Sequence, residues 1–85
     1  MAKMNQFGVV EVNDPNQSSV YYAGKRYEIY DAYPSLSGAR AYAEDLRTQP
    51  YPYDPRYRCR AVVGDLGLEA GRLRWAVFIA KGVRR

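Results

Sequence analysis

Five arginines recur at alternate positions in two short stretches near the carboxyl end of the chain, and arginine is well suited to binding phosphate. Its guanidinium group is planar, stays charged, and presents paired N–H donors to two phosphate oxygens at once. The stretches have the sequences RYRCR and RLR, and their arginines are Arg56, Arg58, Arg60, Arg72 and Arg74. This spacing predicts a surface that binds the phosphate groups of a nucleic acid.

The positive charge of the chain is concentrated in the same region. Residues 56–85 carry eight basic and two acidic side chains, whereas residues 1–55 carry five basic and seven acidic ones, and the formal net charge is +4. Such a region attracts polyanions, since Arg and Lys displace counterions from phosphate. Ten of the 13 basic residues are arginine, which fits phosphate recognition but which a genome's base composition explains equally well.

Few other side chains have the types and spacing that catalysis or metal binding requires. The chain has no His and a single Cys, which excludes an ordinary zinc site, an internal disulfide and a histidine general base. Cys59 falls on the predicted buried side of a strand, which indicates a packed thiol. Glu44 and Asp45 are consecutive on a helix and cannot converge on one substrate atom. We therefore expect a protein that is not an enzyme and has no cofactor, metal or small-molecule substrate.

Length and composition indicate a single domain over residues 1–85 with a thin core. Leu, Ile, Val and Phe make up one fifth of the chain, and nine Tyr and one Trp supply the remaining large rings. No apolar run approaches the roughly 20 residues that cross a bilayer, and the N-terminus lacks the apolar segment of a signal peptide. The sequence thus predicts a cytoplasmic protein without a membrane partner, with residues 1–6 frayed.

Turn signals and hydrophobic periodicity predict the elements that must position the arginines. A helix covers Leu36–Thr48, because apolar residues recur there at steps of three and four, with Ser35 as its N-cap. Ala23-Gly24, between two aromatic and β-branched runs, is typical of a tight hairpin. The predicted strands are Phe7–Val12, Ser19–Tyr22, Lys25–Tyr30, Arg56–Val63 and Arg72–Lys81.

These elements predict an α+β domain. One antiparallel sheet of four to five strands, in the order β-β-β-α-β-β, carries the single helix on one face. The last two strands, joined by the glycine-rich loop Gly64–Gly71, alternate with period two, so each has one buried side. Tyr57 and Trp75 then face the helix, and the five arginines lie on the opposite side of the sheet.

The predicted binding surface extends to the third strand if that strand pairs beside the arginine strands. With Tyr27 and Ile29 inward, alternation places Arg26 and Tyr30 on the arginine side. The complete candidate nucleic-acid-binding set is then Arg56, Arg58, Arg60, Arg72, Arg74, Arg26 and Tyr30. Arginine stems also shield an open sheet face, so a purely structural role stays open.

The far end of the same face is apolar and needs a cover. Val62, Ala76 and Phe78 lie there, and one helix cannot cap both sides of a sheet. Either the N-terminal strand folds across these residues, or a second copy of the protein covers them and the protein is a homodimer.

The tyrosines of the segment PYPYDPRY at 50–57 have two possible roles. Alternating proline and tyrosine predicts a stiff, extended segment. Its rings either stack on unpaired bases or pack over the end of the helix.

Together these patterns predict a small basic nucleic-acid-binding module that contacts the phosphate backbone. Base-reading surfaces combine Arg with Asn, Gln, Ser or Thr, and the two arginine strands contain none of these, so strong sequence specificity is not expected. The choice between DNA and RNA is open. The alternative function is a non-enzymatic structural or protein-interaction domain.

Overall fold

The computed structural model describes residues 2–85 and shows one main helix packed on a strongly curved β-sheet. The elements are β1 (Val9–Glu11), β2 (Ser19–Tyr22), β3 (Lys25–Tyr33), α1 (Leu36–Arg47), β4 (Pro50–Tyr51), β5 (Asp54–Asp65), a short 3-10 helix (Leu68–Leu73) and β6 (Trp75–Arg84). The predicted α+β class with one helix on a sheet is confirmed. Within residues 2–85, no helix has the length and apolar character needed to cross a membrane.

The strands form one mixed sheet in the order β1-β5-β6-β3-β2, and β4 pairs with another part of the β5 edge. The β5–β6, β6–β3 and β3–β2 pairs are antiparallel, as predicted. β1 instead runs parallel to β5, with Val9 opposite Val63. A parallel pair is possible here because a hairpin and a helix separate the two strands in sequence, which leaves the chain free to return in the same direction.

Local signals locate the helix and the hairpin as predicted. The Ser35 side chain accepts a hydrogen bond from the Gly38 amide at 3.1 Å, and Thr48 is the C-cap. Ala23 and Gly24 have φ angles of 51° and 77°, the left-handed values that the two central residues of a type I′ turn adopt. β5 is longer than predicted and continues through Gly64 and Asp65, which were expected to begin a loop. β6 has the predicted length of ten residues but begins and ends three residues later than predicted.

A first core lies between α1 and the sheet. The helix contributes Ala39, Ala43 and Leu46, which follow its apolar stripe. The sheet residues opposite them include Cys59, Ala61, Val63, Val77 and Ile79. Trp75 and Tyr57 pack at the margin of this core, so the predicted direction of alternation in β5 and β6 is confirmed.

A second core fills the opposite, concave face of the sheet. Val62, Ala76 and Phe78 are only 6%, 0% and 0% exposed. The other buried residues of this core are Val10, Val20, Tyr27, Leu66 and Ala80. Because they come from both ends of the strand order, the sheet must curve until its two edges approach each other.

Residues 2–4 connect the two edge strands and bring the sheet close to a closed barrel. The Ala2 amide donates to the Tyr21 carbonyl of β2 at 2.9 Å. The Lys3 carbonyl accepts from the Glu11 amide of β1 at 3.3 Å, and Met4 bridges to Val10. The N-terminal segment therefore satisfies backbone groups on both edges.

These observations correct two predictions. The homodimer surface predicted at Val62, Ala76 and Phe78 is wrong, because one chain buries all three residues by itself. β1 contributes to the cover by adding Val10 at the sheet edge and does not fold across the face. The predicted fraying of the N-terminus is also wrong for residues 2–4, which pair with β1 and β2. Residue 1 lies outside the described residues. The homodimer itself stays a prediction, without an assigned surface.

Candidate nucleic-acid interface

The antiparallel pairing of β5 and β6 separates the predicted arginine face into two groups. Arg56, Arg58 and Arg60 lie at the start of β5, whereas Arg74 precedes β6 and therefore lies beside the end of β5, where Asp65 pairs with Trp75. The distance along β5 from Arg58 to Asp65 is about 23 Å at roughly 3.3 Å per residue. The prediction of one five-arginine face is thus wrong, because the start of one antiparallel strand lies beside the end of its partner.

Arg74 is neutralised within the fold. Its Nε and Nη2 donate to the two carboxylate oxygens of Asp65 at 2.7 and 2.8 Å, and its guanidinium lies 4.6 Å from the centre of the Trp75 ring. The Asp65 carboxylate also accepts from the Gly67 amide at 2.8 Å. The hydrogen bonds from Arg74 lower the pKa of Asp65. Arg72 is exposed on the 3-10 helix, and Arg74 is the C-cap of that helix, so neither arginine lies on a strand.

Replacing Arg74 with Ser is expected to lower the melting temperature by several degrees at neutral pH, since Asp65 is then left half-buried without its partner. The pKa of Asp65 is lower in the folded state, so this stabilisation is complete above the ordinary Asp pKa of about 3.9 and is lost as the pH falls below it. Thermal melts of the unsubstituted protein and of the Arg74→Ser variant should therefore show a smaller difference in melting temperature near pH 3 than at neutral pH. Arg72→Ser is the matched control, and equal melting of the two variants would contradict the structural role of Arg74.

Arg26 and Tyr30 lie on the helix side of the sheet, so they do not join the other arginines. Residues that pair across two strands share a face of the sheet. Glu28 pairs with Ile79 of the first core, whereas Ile29 pairs with Phe78 of the second core. Glu28 and the residue two positions before it therefore lie on the helix side. The condition for the prediction, in which Tyr27 and Ile29 face the helix, is not met, because both residues pack in the second core. Arg26 instead lies 3.6 Å from the Glu28 carboxylate.

Tyr30 belongs to a chain of tyrosine rings along the helix side. Neighbouring ring centres are 5.4 to 6.3 Å apart in the order Tyr33, Tyr42, Tyr30, Tyr53 and Tyr51. Burial and the nearby Asp31 carboxylate raise the pKa of Tyr33 to about 12. Tyr51 is buried in the first core, whereas Tyr53 is 67% exposed. The proline-tyrosine segment therefore packs at least one ring into the fold, as one of its two predicted roles required.

The arginines at the start of β5 have basic neighbours that the sequence prediction missed. In the β5–β6 register, Cys59 pairs with Lys81 and Tyr57 with Arg84, and the Arg85 amide donates to the Arg56 carbonyl at 2.7 Å. Arg47, the last residue of α1, lines a cleft together with Arg58 and Arg85. We call this group the basic end; its members are Arg47, Arg56, Arg58, Arg60, Lys81, Arg84 and Arg85. The antiparallel order itself was the available signal, because it places the end of β6 beside the start of β5.

One carboxylate partly neutralises the basic end. Asp54 accepts two hydrogen bonds from the Arg56 guanidinium, both at 2.9 Å, and lies 3.5 Å from the Lys81 ammonium. The bonds from Arg56 lower the pKa of Asp54 well below its usual range. Within residues 2–85, no side-chain carboxylate forms an ion pair with the other five members of the basic end. The surface therefore carries guanidinium groups available to an anion.

The basic end offers charged N–H donors, the groups that bind anions in proteins. Cys59, the nearest nucleophilic side chain in sequence, is buried beneath α1, and burial raises the pKa of its thiol. A thiol of this kind is a poor nucleophile because the reactive thiolate is disfavoured.

Comparison with protein-family models, curated proteins and solved structures found no match to this chain.

Proposed function

We propose that this protein is a small, non-enzymatic nucleic-acid-binding module that holds a phosphate backbone against the basic end. The observation that carries the proposal is that seven basic residues from α1, β5, β6 and position 85 lie at one end of the sheet, where Asp54 is the carboxylate that pairs with two of them. Packing like charges together costs stability in the free protein. An anionic partner removes that cost and gains counterion release. The proposal keeps the cytoplasmic location predicted from the sequence.

The polar side chains beside the basic end support binding without strong sequence specificity. The Thr48 hydroxyl donates to the Asp45 carbonyl at 2.7 Å, and the side-chain nitrogen of Gln49 (Nε2) donates to the Asp45 carboxylate at 2.9 Å. Thr48 thus uses its only O–H donor, and Gln49 one N–H, to close the end of α1. These bonds restrict how either side chain can read the edges of bases, whereas arginines suit phosphate contacts that are the same for every sequence.

The test is a fluorescence anisotropy titration of the protein against labelled duplex DNA and single-stranded RNA of mixed sequence. Contact with about three to five phosphates predicts micromolar or weaker affinity at physiological salt and a slope of log affinity against log salt near −3 to −4.5 on duplex DNA. The double variant Arg58→Ser/Arg60→Ser should flatten this slope by about 2. The corresponding loss of affinity is about 200-fold at 50 mM salt and about 20-fold at 200 mM.

The matched control removes two charges elsewhere on the surface. Lys3 and Arg72 are exposed and lie outside the basic end, so Lys3→Ser/Arg72→Ser changes the net charge equally. We expect this control to keep most of the affinity and the slope. Equal losses in the two double variants would show non-localised charge attraction and overturn the assigned surface. Flat titrations at both salt concentrations would end the proposal and favour the protein-interaction alternative.

A further inference from the structure

The basic end contains one cleft with the shape of a small binding site. The cleft has a volume of about 140 Å³ and lies between the end of α1, β4 and β5. Its lining residues are Arg47, Thr48, Gln49, Pro50, Arg58 and Arg85. Three arginines thus line one partly open space, and no Asp or Glu does.

Two of the three arginines are held in place by backbone carbonyls. The Arg47 Nε donates to the Ala61 carbonyl at 2.9 Å. This carbonyl belongs to the part of the β5 edge between the segments that pair with β1 and β4, so Arg47 occupies the gap between those two strands. The Arg85 amide donates to the Arg56 carbonyl, and its side-chain Nη1 donates to the Pro55 carbonyl at 3.3 Å. These two bonds position Arg85. A guanidinium has five donors, so each bond leaves most of the group free for an anion. Positioning before binding reduces the entropy lost when a ligand is held.

The end of a helix carries a partial negative charge that would oppose an anion, and caps offset it here. The Asp45 carbonyl accepts from both the amide and the hydroxyl of Thr48, at 3.1 and 2.7 Å. The Leu46 carbonyl accepts from the Gln49 amide at 3.1 Å. With these carbonyls engaged, the nearby negative charge is the Asp45 carboxylate, which accepts from the Gln49 side chain at 2.9 Å, against three arginines that line the cleft.

The cleft is large enough for one phosphate group. Its volume equals that of about five water molecules at roughly 30 Å³ each. A phosphate group, with four oxygens each about the size of a water, fits this space. Three arginines lining one cleft can together offer charged donors to several phosphate oxygens.

We infer that this cleft is a specific binding site for one phosphate group, held by Arg47, Arg58 and Arg85. The phosphate is either the terminal monoester of a nucleic-acid strand or one diester of its backbone. This inference deepens the proposed function by naming the group that anchors the strand. It does not require that a nucleic acid be bound, because the free phosphate ion presents the same oxygens.

The first test is an NMR titration of the full chain with inorganic phosphate, at constant ionic strength maintained with chloride. We expect the Nε–H signals of the three cleft arginines to shift with a millimolar dissociation constant. Arg58→Ser should weaken this binding about tenfold or more, since a hydrogen bond to a charged group contributes at least a factor of ten. Arg60→Ser is the matched charge control, because Arg60 belongs to the basic end but does not line the cleft, and it should weaken phosphate binding much less than Arg58→Ser does.

The two variants make failure of the site distinguishable from failure of the proposed function. If phosphate causes no saturable shift, or if Arg58→Ser and Arg60→Ser weaken it equally, the cleft is not a specific site, even where nucleic acid still binds. If phosphate binds and nucleic acid does not, the site stands without the proposed function. A 5′-phosphorylated oligonucleotide compared with its 5′-hydroxyl form distinguishes the sources. Tighter binding of the phosphorylated form identifies the terminal monoester, and equal binding identifies a backbone diester.

Discussion

Replacing Phe78 with Ala is expected to destabilise the protein by about 3–5 kcal/mol, the typical cost of removing a buried aromatic ring. Phe78 is fully buried on the concave face, where it packs with residues from β1, β2, β3 and β5. An 85-residue domain has a total stability of about 4–13 kcal/mol at 0.05–0.15 kcal/mol per residue. The substitution therefore removes a large fraction of the free energy of unfolding, and the variant is expected to be partly unfolded at room temperature or slightly above.

Urea denaturation followed by circular dichroism measures this effect. The midpoint should fall while the slope of free energy against urea stays nearly constant, which indicates lost stability without a change in the surface exposed on unfolding. Val83→Ala on the same strand is the control, since Val83 is 60% exposed and should cost little. A loss below about 1 kcal/mol for Phe78→Ala would mean that the concave face is not a closed core.

Replacing Gly64 with Ala is expected to destabilise the protein by about 1–3 kcal/mol, although alanine normally favours regular structure over glycine. A β-carbon at this position would lie 2.5 Å from Cε2 of the Phe78 ring and 3.3 Å from Cγ2 of Val12. The missing side chain of Gly64 is therefore the space that the ring occupies. The backbone angle of Gly64 is not left-handed, so the cost comes from this steric overlap.

The same substitution in a Phe78→Ala background tests that explanation. With the ring removed, the 2.5 Å overlap is gone, only the 3.3 Å contact with Val12 remains, and the new methyl group fills part of the cavity, so Gly64→Ala should become nearly neutral. The double-variant cycle compares four free energies of unfolding, and we expect strong non-additivity between the two positions. Additive effects would show that Gly64 is required for a reason unrelated to the ring.

The sequence by itself determined the elements whose signals are local. Ser35 marks the start of α1 because its side chain can bond an amide three residues later, and Ala23-Gly24 marks the hairpin because a two-residue turn needs left-handed backbone angles. Alternation in β5 and β6 also identified the residues facing the helix. Each of these features depends on neighbours within a few positions along the chain, and its physical cause is present in the short segment.

Contacts between distant parts of the chain required the tertiary structure. Gly64 is assigned to a loop from its neighbours in sequence, and only the position of the Phe78 ring explains a glycine within β5. The partner of Arg74 was likewise hidden, because Asp65 reaches it only through the pairing of two strand ends. Composition can show that arginines are abundant, but the register determines which carboxylates neutralise them.

The closure of the sheet and the location of the basic end are also consequences of tertiary structure. Curvature of the strands brings both sheet edges within reach of residues 2–4, which turns an apparently open apolar face into a second core. Antiparallel pairing separates Arg58 from Arg74 and places the end of β6 beside the start of β5. The sequence therefore determined that the chain carries an excess of arginine in two short alternating stretches and near its last residues. The direction in which those strands pair decided which arginines form a common surface, because side chains interact through space and not along the chain.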